Sequence, residues 1–287
     1  MDPVRTLLFV PGHRERMIEK APGAGADGLL YDLEDSVPAN ELDTARQILA
    51  DALATPRTLP RYIRVNGIAD AGKGETAADL DAVVLAEVDG IVLPKAQSVD
   101  DITWTAGEIE KHEKARGLEV GAFEIVPMIE SALGVQFAYD ILTASSRVSS
   151  VVIGSAQDGD LQTDLGAGWS PEGTEILYAR SQILLAARAA GIDHPIDGVF
   201  LGLDDEAGLI RDSENARRLG YRGKTVIHPR QIGPVHGVFT PSEKELAYYR
   251  DMIAAFEDAG ENAFNFGGKM IDRAMIRKAR DLLDRFA

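Results

Sequence analysis

At residues 28–35 the chain reads GLLYDLED, an apolar run too short for a helix followed by three acidic side chains. Apolar runs of this length recur along the chain and alternate with longer segments of helical periodicity. This alternation is typical of a parallel sheet whose strands are joined by helices. We predict eight strands, at Thr6 to Val10, Gly28 to Asp32, Arg61 to Val65, Gly90 to Leu93, Phe123 to Met128, Ser149 to Ile153, Asp197 to Leu201 and Lys224 to Ile227.

The segments between these runs are rich in alanine, leucine and charged residues, which favour helix. Helices are predicted at Leu42 to Ala54, Val99 to Arg116, Ser131 to Ala144 and Glu172 to Ala190. Eight strand-helix units in about 230 residues match a closed barrel, whereas an open doubly wound sheet more often stops at about five to seven strands. We therefore predict an α/β fold, a (β/α)8 TIM barrel over residues 1–240.

The remaining residues, 241–287, exceed what the barrel needs and form a predicted C-terminal helical extension. An amphipathic segment runs through Ala259, a connector contains Gly267 and Gly268, and a last helical run extends from Arg273 to Phe286. This extension either covers the outside of the barrel or reaches over an active site, its own or a neighbour's.

Composition excludes several classes of function. The chain has 287 residues, with 46 acidic and 30 basic side chains, a formal charge of −16 and no cysteine. This charge opposes a broad nucleic-acid surface, and the absence of cysteine excludes thiolate metal sites and cysteine nucleophiles. No run approaches the roughly 20 apolar residues of a membrane span, and no signal peptide is recognisable at the N-terminus. We expect a cytoplasmic protein with neither nucleic-acid nor membrane partners.

Polar side chains collect directly after the predicted strands, where the active site of such a barrel lies. Because several carboxylates at one rim repel each other unless a cation lies among them, an all-oxygen set favours Mg2+, with Mn2+ as the alternative. Glu130 and an aspartate after strand six, Asp158 or Asp160, are the candidate ligands. The alternative is that Glu130 caps the following helix and Asp160 stabilises a helix N-terminus.

Two further groups of basic residues are candidates for substrate binding. Arg64 ends a strand, and its planar fork matches a carboxylate; the alternative is a structural ion pair with Asp32, Glu34 or Asp35. The loop Pro11-Gly12 leads from the first strand into a helical segment, and its three cations suit phosphates, unless they form only a solvated helix face. These cations are Arg14, Arg16 and Lys20.

In combination, the strand-end motifs resemble the citrate lyase beta-subunit (CitE-like) branch of the HpcH/HpaI aldolase and citrate lyase family. The matching pieces, in the family's order, are LFVPG (8–12), DLEDSV (32–37), RVNG (64–67), LPKA (93–96), PMIES (127–131), DLQTDLG (160–166), HP (228–229) and GKMID (268–272). They cover almost the whole chain. The ordered set is specific to the family, although not to the substrate of one member.

The resemblance implies a barrel enzyme that cleaves or forms a carbon–carbon bond in a CoA thioester. It places Mg2+ on Glu130 and Asp160, with substrate oxygens on Arg64 and at the Glu130 centre. The first-strand loop, with Pro11, Gly12 and its three cations, would meet CoA, and Lys95 of LPKA is a further expected substrate contact. Asp272 resembles the acid/base group that the C-terminal segment of a neighbouring subunit supplies.

Two departures from the family pattern bear on this transfer. The loop after strand six is longer than usual, so that Asp158 rather than Asp160 is an alternative metal ligand. Ala274 stands where family members often carry proline. Neither departure removes a required functional group.

The implied reaction is cleavage of malyl-, citramalyl- or citryl-CoA into acetyl-CoA, or a related acyl-CoA, and a 2-oxo acid. The alternatives are an acyl-CoA thioesterase using the same site, a CoA-independent aldolase, and a non-catalytic subunit that binds CoA or an acyl carrier. A tail that acts on a neighbour requires a homo-oligomer, which the resemblance implies is a trimer or hexamer.

Overall fold

A computed structural model of the chain describes residues 1, 3–260 and 262–286. The chain divides into two compact units, Met1–Phe239 and Thr240–Ala287. The larger unit is a closed parallel barrel, in which each strand pairs with the next and β8 pairs with β1. This confirms the predicted (β/α)8 TIM barrel. Its strands are β1 (Thr6–Pro11), β2 (Gly28–Asp32), β3 (Arg61–Arg64), β4 (Gly90–Leu93), β5 (Glu124–Ile129), β6 (Val152–Ile153), β7 (Ile196–Asp197) and β8 (Gly223–Val226).

Two strands are much shorter than predicted. β7 ends at Asp197, so residues 198–201, which the sequence analysis assigned to this strand, form the loop that follows it. They contribute to the rim of the barrel, where Val199 and Leu201 line a cavity. β6 comprises only residues 152–153; Val148, directly before the predicted strand, forms a single isolated bridge with Ile125.

The helices of this unit surround the barrel. They are α1 (Glu15–Lys20), α2 (Leu42–Leu53), α3 (Ile68–Val83), α4 (Val99–Arg116), α5 (Ala132–Gln136), α6 (Ala138–Thr143), α7 (Asp160–Leu165), α8 (Leu177–Ala189), α9 (Glu206–Leu219) and α10 (Ile232–Phe239). Short 3-10 helices occur at Ala21–Gly23, Ala39–Glu41, Thr174–Ile176 and Pro229–Gln231. No helix in the described part of the chain combines the length and the apolar character needed to traverse a bilayer.

Local sequence signals explain where the helices begin and end. Helix α4 has the predicted bounds because Ser98 and Asp101 form a capping box at its start and Gly117 adopts a left-handed conformation (φ 67°) after its end. The segment predicted as one helix from Ser131 to Ala144 is divided at Phe137, whose φ of −104° and ψ of 18° are not helical. α5 and α6 are therefore separate short helices.

The core has two layers, as expected for strands whose side chains alternate between the barrel interior and the helices. The interior layer is small and closes the barrel; its buried members include Leu7, Leu30, Tyr62, Val126 and Met128. The larger layer lies between the strands and the surrounding helices. A closed and filled barrel of this kind leaves its carboxyl-terminal rim as the place for chemistry.

The second unit consists of α11 (Glu243–Asp258), the antiparallel hairpin β9 (Phe264–Phe266) and β10 (Lys269–Ile271), and α12 (Arg273–Phe286). It has its own apolar cluster, formed by Met252, Phe256, Ile271, Ile276 and Ala279. The extension is helical, as predicted, but the connector around Gly267 and Gly268 is the turn of a hairpin. Both glycines have positive φ, at 57° and 82°, as a tight hairpin turn requires.

Candidate active site

A cavity of about 400 Å3 opens at the carboxyl-terminal ends of the barrel strands. Its charged lining consists of Asp32, Asp35, Arg64, Glu130 and Asp160, all of which follow or end a strand or begin a helix there. Polar side chains were predicted to meet at this rim, and these five lie around one space there.

Arg64 and Asp32 form a buried bidentate ion pair at the floor of this cavity. Arg64 Nε donates to Asp32 Oδ1 at 2.7 Å and Nη2 donates to Asp32 Oδ2 at 2.8 Å, across the neighbouring strands β2 and β3. Burial opposes the charge on Asp32, but the Arg64 guanidinium outweighs it and holds the pKa of that carboxyl below its ordinary value. The pair is therefore a fixed part of the site.

The third guanidinium nitrogen of Arg64 has more exchangeable partners. Arg64 Nη1 donates to Asp35 Oδ2 at 3.1 Å and lies 2.9 Å from Glu34 Oε2, without the geometry of a hydrogen bond. The Asp35 side chain is 64% exposed, so solvent or another carboxylate can replace it at low cost. The structural ion pair predicted as the alternative for Arg64 is thus present. Nη1 is the nitrogen whose partner can be exchanged.

Glu130 follows β5 and is a buried carboxylate of the cavity lining, at 7% exposure. Its Oε1 accepts a hydrogen bond from the backbone N–H of Lys95 at 3.0 Å. Burial raises the pKa of Glu130 from its ordinary value of 4.5 to about 7; Arg64 and Lys95 oppose this shift, and the charge of Asp160 adds to it. An added positive charge beside Glu130 would restore its ionised form.

Gly154, directly after the short strand β6, makes room for the Glu130 side chain. A Cβ atom at this position would lie 2.4 Å from Glu130 Cβ and 2.5 Å from Glu130 Oε2. Only a residue without a side chain permits this approach. The glycine of this turn therefore fixes the orientation of the carboxylate.

Lys95 connects Glu130 with Asp160. While its backbone N–H binds Glu130, its Nζ lies 3.4 Å from Asp160 Oδ2 and also binds Asp70. The backbone of Lys95 has a positive φ of 49°, which turns the chain sharply after β4. Lys95 thus contacts two carboxylates that line the cavity, Glu130 and Asp160, and Asp70 outside it, and its predicted contact with substrate stays a prediction.

The two candidate aspartates after β6 have different environments. Asp160 begins α7 and lines the cavity with Glu130. Asp158 has a left-handed backbone (φ 55°), does not line the cavity, and its Oδ2 accepts a weak hydrogen bond from Gln157 Nε2 at 3.3 Å. The geometry favours Asp160 over Asp158 as the partner of Glu130.

The donor set suits a hard divalent ion. In residues 1, 3–260 and 262–286, no three histidine, cysteine, aspartate or glutamate side chains form a preassembled metal cluster. Mg2+ commonly takes one or two protein carboxylates and completes its octahedron with water and substrate oxygens, whereas zinc prefers nitrogen and sulfur. Glu130 and Asp160 line the same cavity, and burial disfavours the ionised form of Glu130; this donor set fits Mg2+ in this respect.

Comparison with known proteins establishes the family. Residues 5–229 match the model of the HpcH/HpaI aldolase/citrate lyase family. The chain belongs to this family. It is 38% identical to the citrate lyase subunit beta of Escherichia coli (strain K12), over 98% of this chain and 92% of that protein. It is also 33% identical to the mitochondrial citramalyl-CoA lyase of Homo sapiens, over 97% of this chain and 84% of that protein.

A solved structure extends the similarity to a liganded family member. The crystal structure of the protein CitE from Mycobacterium tuberculosis, in complex with magnesium, acetoacetate and coenzyme A, matches with a TM-score of 0.80 at 29% identity. The match covers 99% of this chain and 98% of that one. The family predicted from the ordered motifs is thereby confirmed.

Glu34, predicted only as a possible partner of Arg64, is a further ionisable residue beside the site. Glu34 is a largely buried member of DLEDSV, and burial raises the pKa of its carboxyl to about 8, with the charges of Asp35, Glu130 and Asp32 adding to the shift and Arg64 opposing it. Ser155 is a second residue beside the site whose role was not predicted. Its hydroxyl is buried, lines the cavity and has no hydrogen-bond partner. Its position directly after β6 is the sequence feature that indicates a place in the cavity.

The LFVPG motif at the end of β1 is part of the rim, and the three cations that follow it face solvent. Pro11 lines the cavity, and the Gly12 N–H donates to the carbonyl oxygen of Asp32 at 2.8 Å, an approach that leaves no space for a Cβ. Arg14, Arg16 and Lys20 are exposed at α1 and make no ion pair with any described residue. These side chains are free to bind an anion.

The tail motif of the family lies in the second unit. Asp272 follows β10 and precedes α12, and its Oδ1 accepts hydrogen bonds from the backbone N–H groups of Ala274 and Met275, at 2.9 and 3.1 Å. Asp272 therefore caps α12 and is exposed. Its second carboxylate oxygen remains available for another partner, as its predicted acid/base role requires.

Proposed function

We propose that this chain is a Mg2+-dependent carbon–carbon lyase. Its substrate is a CoA thioester that bears a hydroxyl and a carboxylate on its C3 carbon, and its products are an acyl-CoA such as acetyl-CoA and a 2-oxo acid. The observation that carries the proposal is that Glu130, Asp160 and Arg64 line one cavity at the catalytic rim of the barrel. The citrate lyase and citramalyl-CoA lyase relatives agree with the carbon–carbon lyase expected from the sequence.

The proposed metal ligands are Glu130 and Asp160. When bound there, Mg2+ would supply positive charge that makes the substrate hydroxyl more acidic and stabilises the charge on the departing oxo acid. Lys95 positions both carboxylates, one through its backbone N–H and the other through its ammonium group. The magnesium in the related CitE complex supports the choice of ion.

Arg64 is proposed to hold the carboxylate of the oxo-acid half. Its bond to Asp32 is retained, and the substrate carboxylate replaces the exposed Asp35 at Nη1. Asp35 is the exchangeable partner because its side chain is solvated, whereas Asp32 is only 2% exposed. In this position the guanidinium orients the bond to be broken and adds positive charge where the oxo acid forms.

Asp272 is proposed as the acid/base group, supplied by the tail of a neighbouring subunit. As a carboxylate, Asp272 would first accept the substrate's hydroxyl proton. When the carbon–carbon bond then breaks, its electron pair remains on the acyl-CoA as an enolate, which requires one proton at carbon. Asp272 would deliver that proton. The trimeric or hexameric assembly that this requires, like the cytoplasmic location, stays a prediction.

CoA is proposed to lie along α1. Arg14, Arg16 and Lys20 would bind its phosphates, and Pro11 and Gly12 form the turn between them and the cavity. The total charge of −16 disfavours polyanions elsewhere on the chain, so a local basic group is required. The coenzyme A in the related CitE complex supports this part of the proposal.

The proposal is tested by incubating the full chain with Mg2+ and, separately, malyl-, citramalyl- and citryl-CoA, with mass spectrometry of the products. We expect acetyl-CoA and a 2-oxo acid, no turnover after chelation by EDTA, and recovery on addition of Mg2+. Free CoA together with the intact hydroxy acid would instead identify a thioesterase. Cleavage of a free hydroxy-oxo acid but of no thioester would identify a CoA-independent aldolase, and binding without turnover a non-catalytic subunit.

The choice between the two aspartates after β6 gives a paired prediction. Asp160→Asn is expected to weaken Mg2+ binding by about a hundredfold or more, because it removes one of two charged ligands. Asp158→Asn, two residues away, is the matched control and should leave binding within about twofold. Isothermal titration of each variant with Mg2+ measures the difference. The reverse order would assign the metal to Asp158.

The close approach of Gly154 to Glu130 gives a second prediction. Gly154→Ala is expected to lower kcat/KM by about a hundredfold, because the new Cβ displaces the carboxylate, and a displacement of about 1 Å is sufficient for a loss of this size. Gly107→Ala is the control, since Gly107 lies within α4 and a Cβ there meets no atom within 4 Å. Equal activity of the two variants would show that Gly154 does not position Glu130.

A further inference from the structure

We propose that Ser155 binds the acyl half of the substrate: its hydroxyl donates a hydrogen bond to the carbonyl oxygen of the thioester and, once the carbon–carbon bond has broken, to the same oxygen of the enolate. This inference rests on the proposed function and adds a residue to it. It follows from a buried hydroxyl without a partner, from the place of that hydroxyl in the barrel, and from the contacts of the neighbouring hydroxyls.

The Ser155 hydroxyl is the observation that carries this inference. Ser155 follows β6, is 7% exposed and lines the cavity. Its Oγ is buried and has no hydrogen-bond partner among the described residues. Buried hydroxyls are nearly always paired, because an unpaired one loses the hydrogen bonds that it makes with water. A ligand oxygen in the cavity would supply the partner.

Two glycines show in which direction this side chain points. A Cβ on Gly198, directly after β7, would lie 2.4 Å from Ser155 Oγ and 2.8 Å from Ser155 N, so the hydroxyl lies against the end of β7. The preceding residue faces the other way, because a Cβ on Gly154 would meet the Glu130 side chain. Glu130 and the Ser155 hydroxyl therefore lie on opposite sides of the chain that leaves β6.

The strand order indicates which half of the substrate reaches Ser155. The barrel closes in the order β1 to β8, so β3, which ends at Arg64, lies opposite β7. In the proposed function Arg64 holds the oxo-acid carboxylate, and the metal lies at Glu130 after β5. The acyl half of the substrate then extends away from Arg64, toward the β7 side of the cavity. The walls on that side include Val199 and Ile227 and suit an uncharged acyl group.

The other hydroxyls of the cavity wall are less suited to this oxygen. Thr225, on β8, donates its hydroxyl to the carbonyl oxygen of Asp197 at 3.2 Å. Ser36 follows β2 and lies beside Asp32, to whose Oδ2 its backbone N–H donates at 3.1 Å. Ser36 is thus on the side of β2 and β3, among carboxylates that repel an enolate. On the β7 side, Ser155 has the unpaired hydroxyl among the described residues that line the cavity.

The proposed reaction strengthens this hydrogen bond in the transition state. When the carbon–carbon bond breaks, its electron pair forms a double bond to the thioester carbon, and the π pair of the carbonyl moves onto oxygen. That oxygen gains negative charge while the Ser155 proton stays on Oγ. A donor held in place stabilises this charge, as in an oxyanion hole. Protonation of the enolate at carbon then re-forms the carbonyl. The hydroxyl is therefore expected to affect kcat more than KM.

The contact is tested first by binding, with a ligand that lacks the oxygen. The full chain, in Mg2+, is titrated calorimetrically with acetyl-CoA and with S-ethyl-CoA, a thioether without the carbonyl oxygen. We expect Ser155→Ala to reduce the preference for acetyl-CoA over S-ethyl-CoA by about fivefold, the effect of one neutral hydrogen bond. A change in the fold or in the binding of CoA would act on both ligands alike. The same preference in wild type and variant would overturn the inference.

Cleavage kinetics give the second readout. On the best of malyl-, citramalyl- and citryl-CoA, Ser155→Ala is expected to lower kcat about a hundredfold, with KM changed by less than about threefold and Mg2+ affinity unchanged. Ser149→Ala is the matched control and should leave kcat within about twofold, because Ser149 precedes β6 and its hydroxyl binds Glu124 at 2.8 Å.

The two readouts separate this inference from the proposed function. An unchanged kcat in Ser155→Ala would overturn the inference and leave the proposed lyase intact. If wild type cleaves none of the three thioesters, the proposed function fails, and the binding preference still decides whether Ser155 contacts the thioester oxygen.

Discussion

Replacement of Glu130 by glutamine is expected to abolish metal-dependent turnover, with a loss of at least about a thousandfold in kcat/KM. Glutamine keeps the shape of the side chain and an oxygen that can accept the Lys95 N–H, but it removes the charge that the proposed metal needs. The loss is therefore expected in metal affinity, measured by titration with Mg2+, as well as in rate. Full activity in this variant would refute the metal assignment.

The same substitution should leave the barrel folded and change how stability depends on pH. The carboxyl of Glu130 has its pKa raised from 4.5 to about 7, so between these values the folded chain holds a proton that the unfolded chain has released. Without metal, this residue therefore makes folding less favourable as pH rises from about 4.5 through 7. Glu130→Gln should lack this contribution to the decrease in the free energy of unfolding.

Urea unfolding in EDTA at pH 5 and pH 8 measures this effect. Wild type should lose more stability than Glu130→Gln over this interval, whereas Glu119→Gln, an exposed position on the loop after α4, should behave as wild type. Glu34, whose pKa is raised to about 8, contributes a further slope; because the charge of Glu130 adds to that shift, Glu130→Gln reduces this slope as well, in the same direction. An unfolded Glu130→Gln variant would show instead that the carboxylate is needed for folding.

The sequence predicts the barrel well because its apolar runs and helical segments alternate at the spacing that a parallel barrel requires. It predicts strand ends less well where an apolar run continues beyond the residues that pair with a neighbouring strand. Residues 198–201 are apolar, as a strand would be, but they leave the barrel after β7, and Gly198 approaches Ser155 too closely for a side chain. In the extension, Gly267-Gly268 between alternating residues is a hairpin signal that the prediction treated only as a connector.

For the site, strand-end position indicates which residues face the cavity but not which contacts they make. The spacing leaves Asp158 and Asp160 equivalent, and only the left-handed backbone of Asp158 and the start of α7 separate them. Likewise, the sequence predicts either a substrate anchor or a structural ion pair for Arg64. The ion pair is present, and the anchor stays a prediction that is compatible with it, because the Asp35 partner of Nη1 is solvated whereas Asp32 is buried.

Asp272→Asn is expected to lower kcat by about a hundredfold to ten-thousandfold with Mg2+ affinity unchanged, because it removes only the proposed proton donor. Asparagine caps helices as well as aspartate, so the hydrogen bonds to Ala274 and Met275 and the start of α12 should be preserved. Asp284→Asn on the same helix is the control. Titration with Mg2+ and steady-state kinetics separate this phenotype from that of Glu130→Gln.

Mixing the two inactive variants tests whether the tail acts on a neighbouring subunit. If subunits of Asp272→Asn and Glu130→Gln are dissociated and reassembled at equal amounts, about a quarter of the sites combine an intact barrel with an intact tail from another chain. Activity should then recover toward about a quarter of wild type. If each chain uses its own tail, no site regains both groups and the mixture stays inactive, in which case Asp272 serves its own barrel or has no catalytic role.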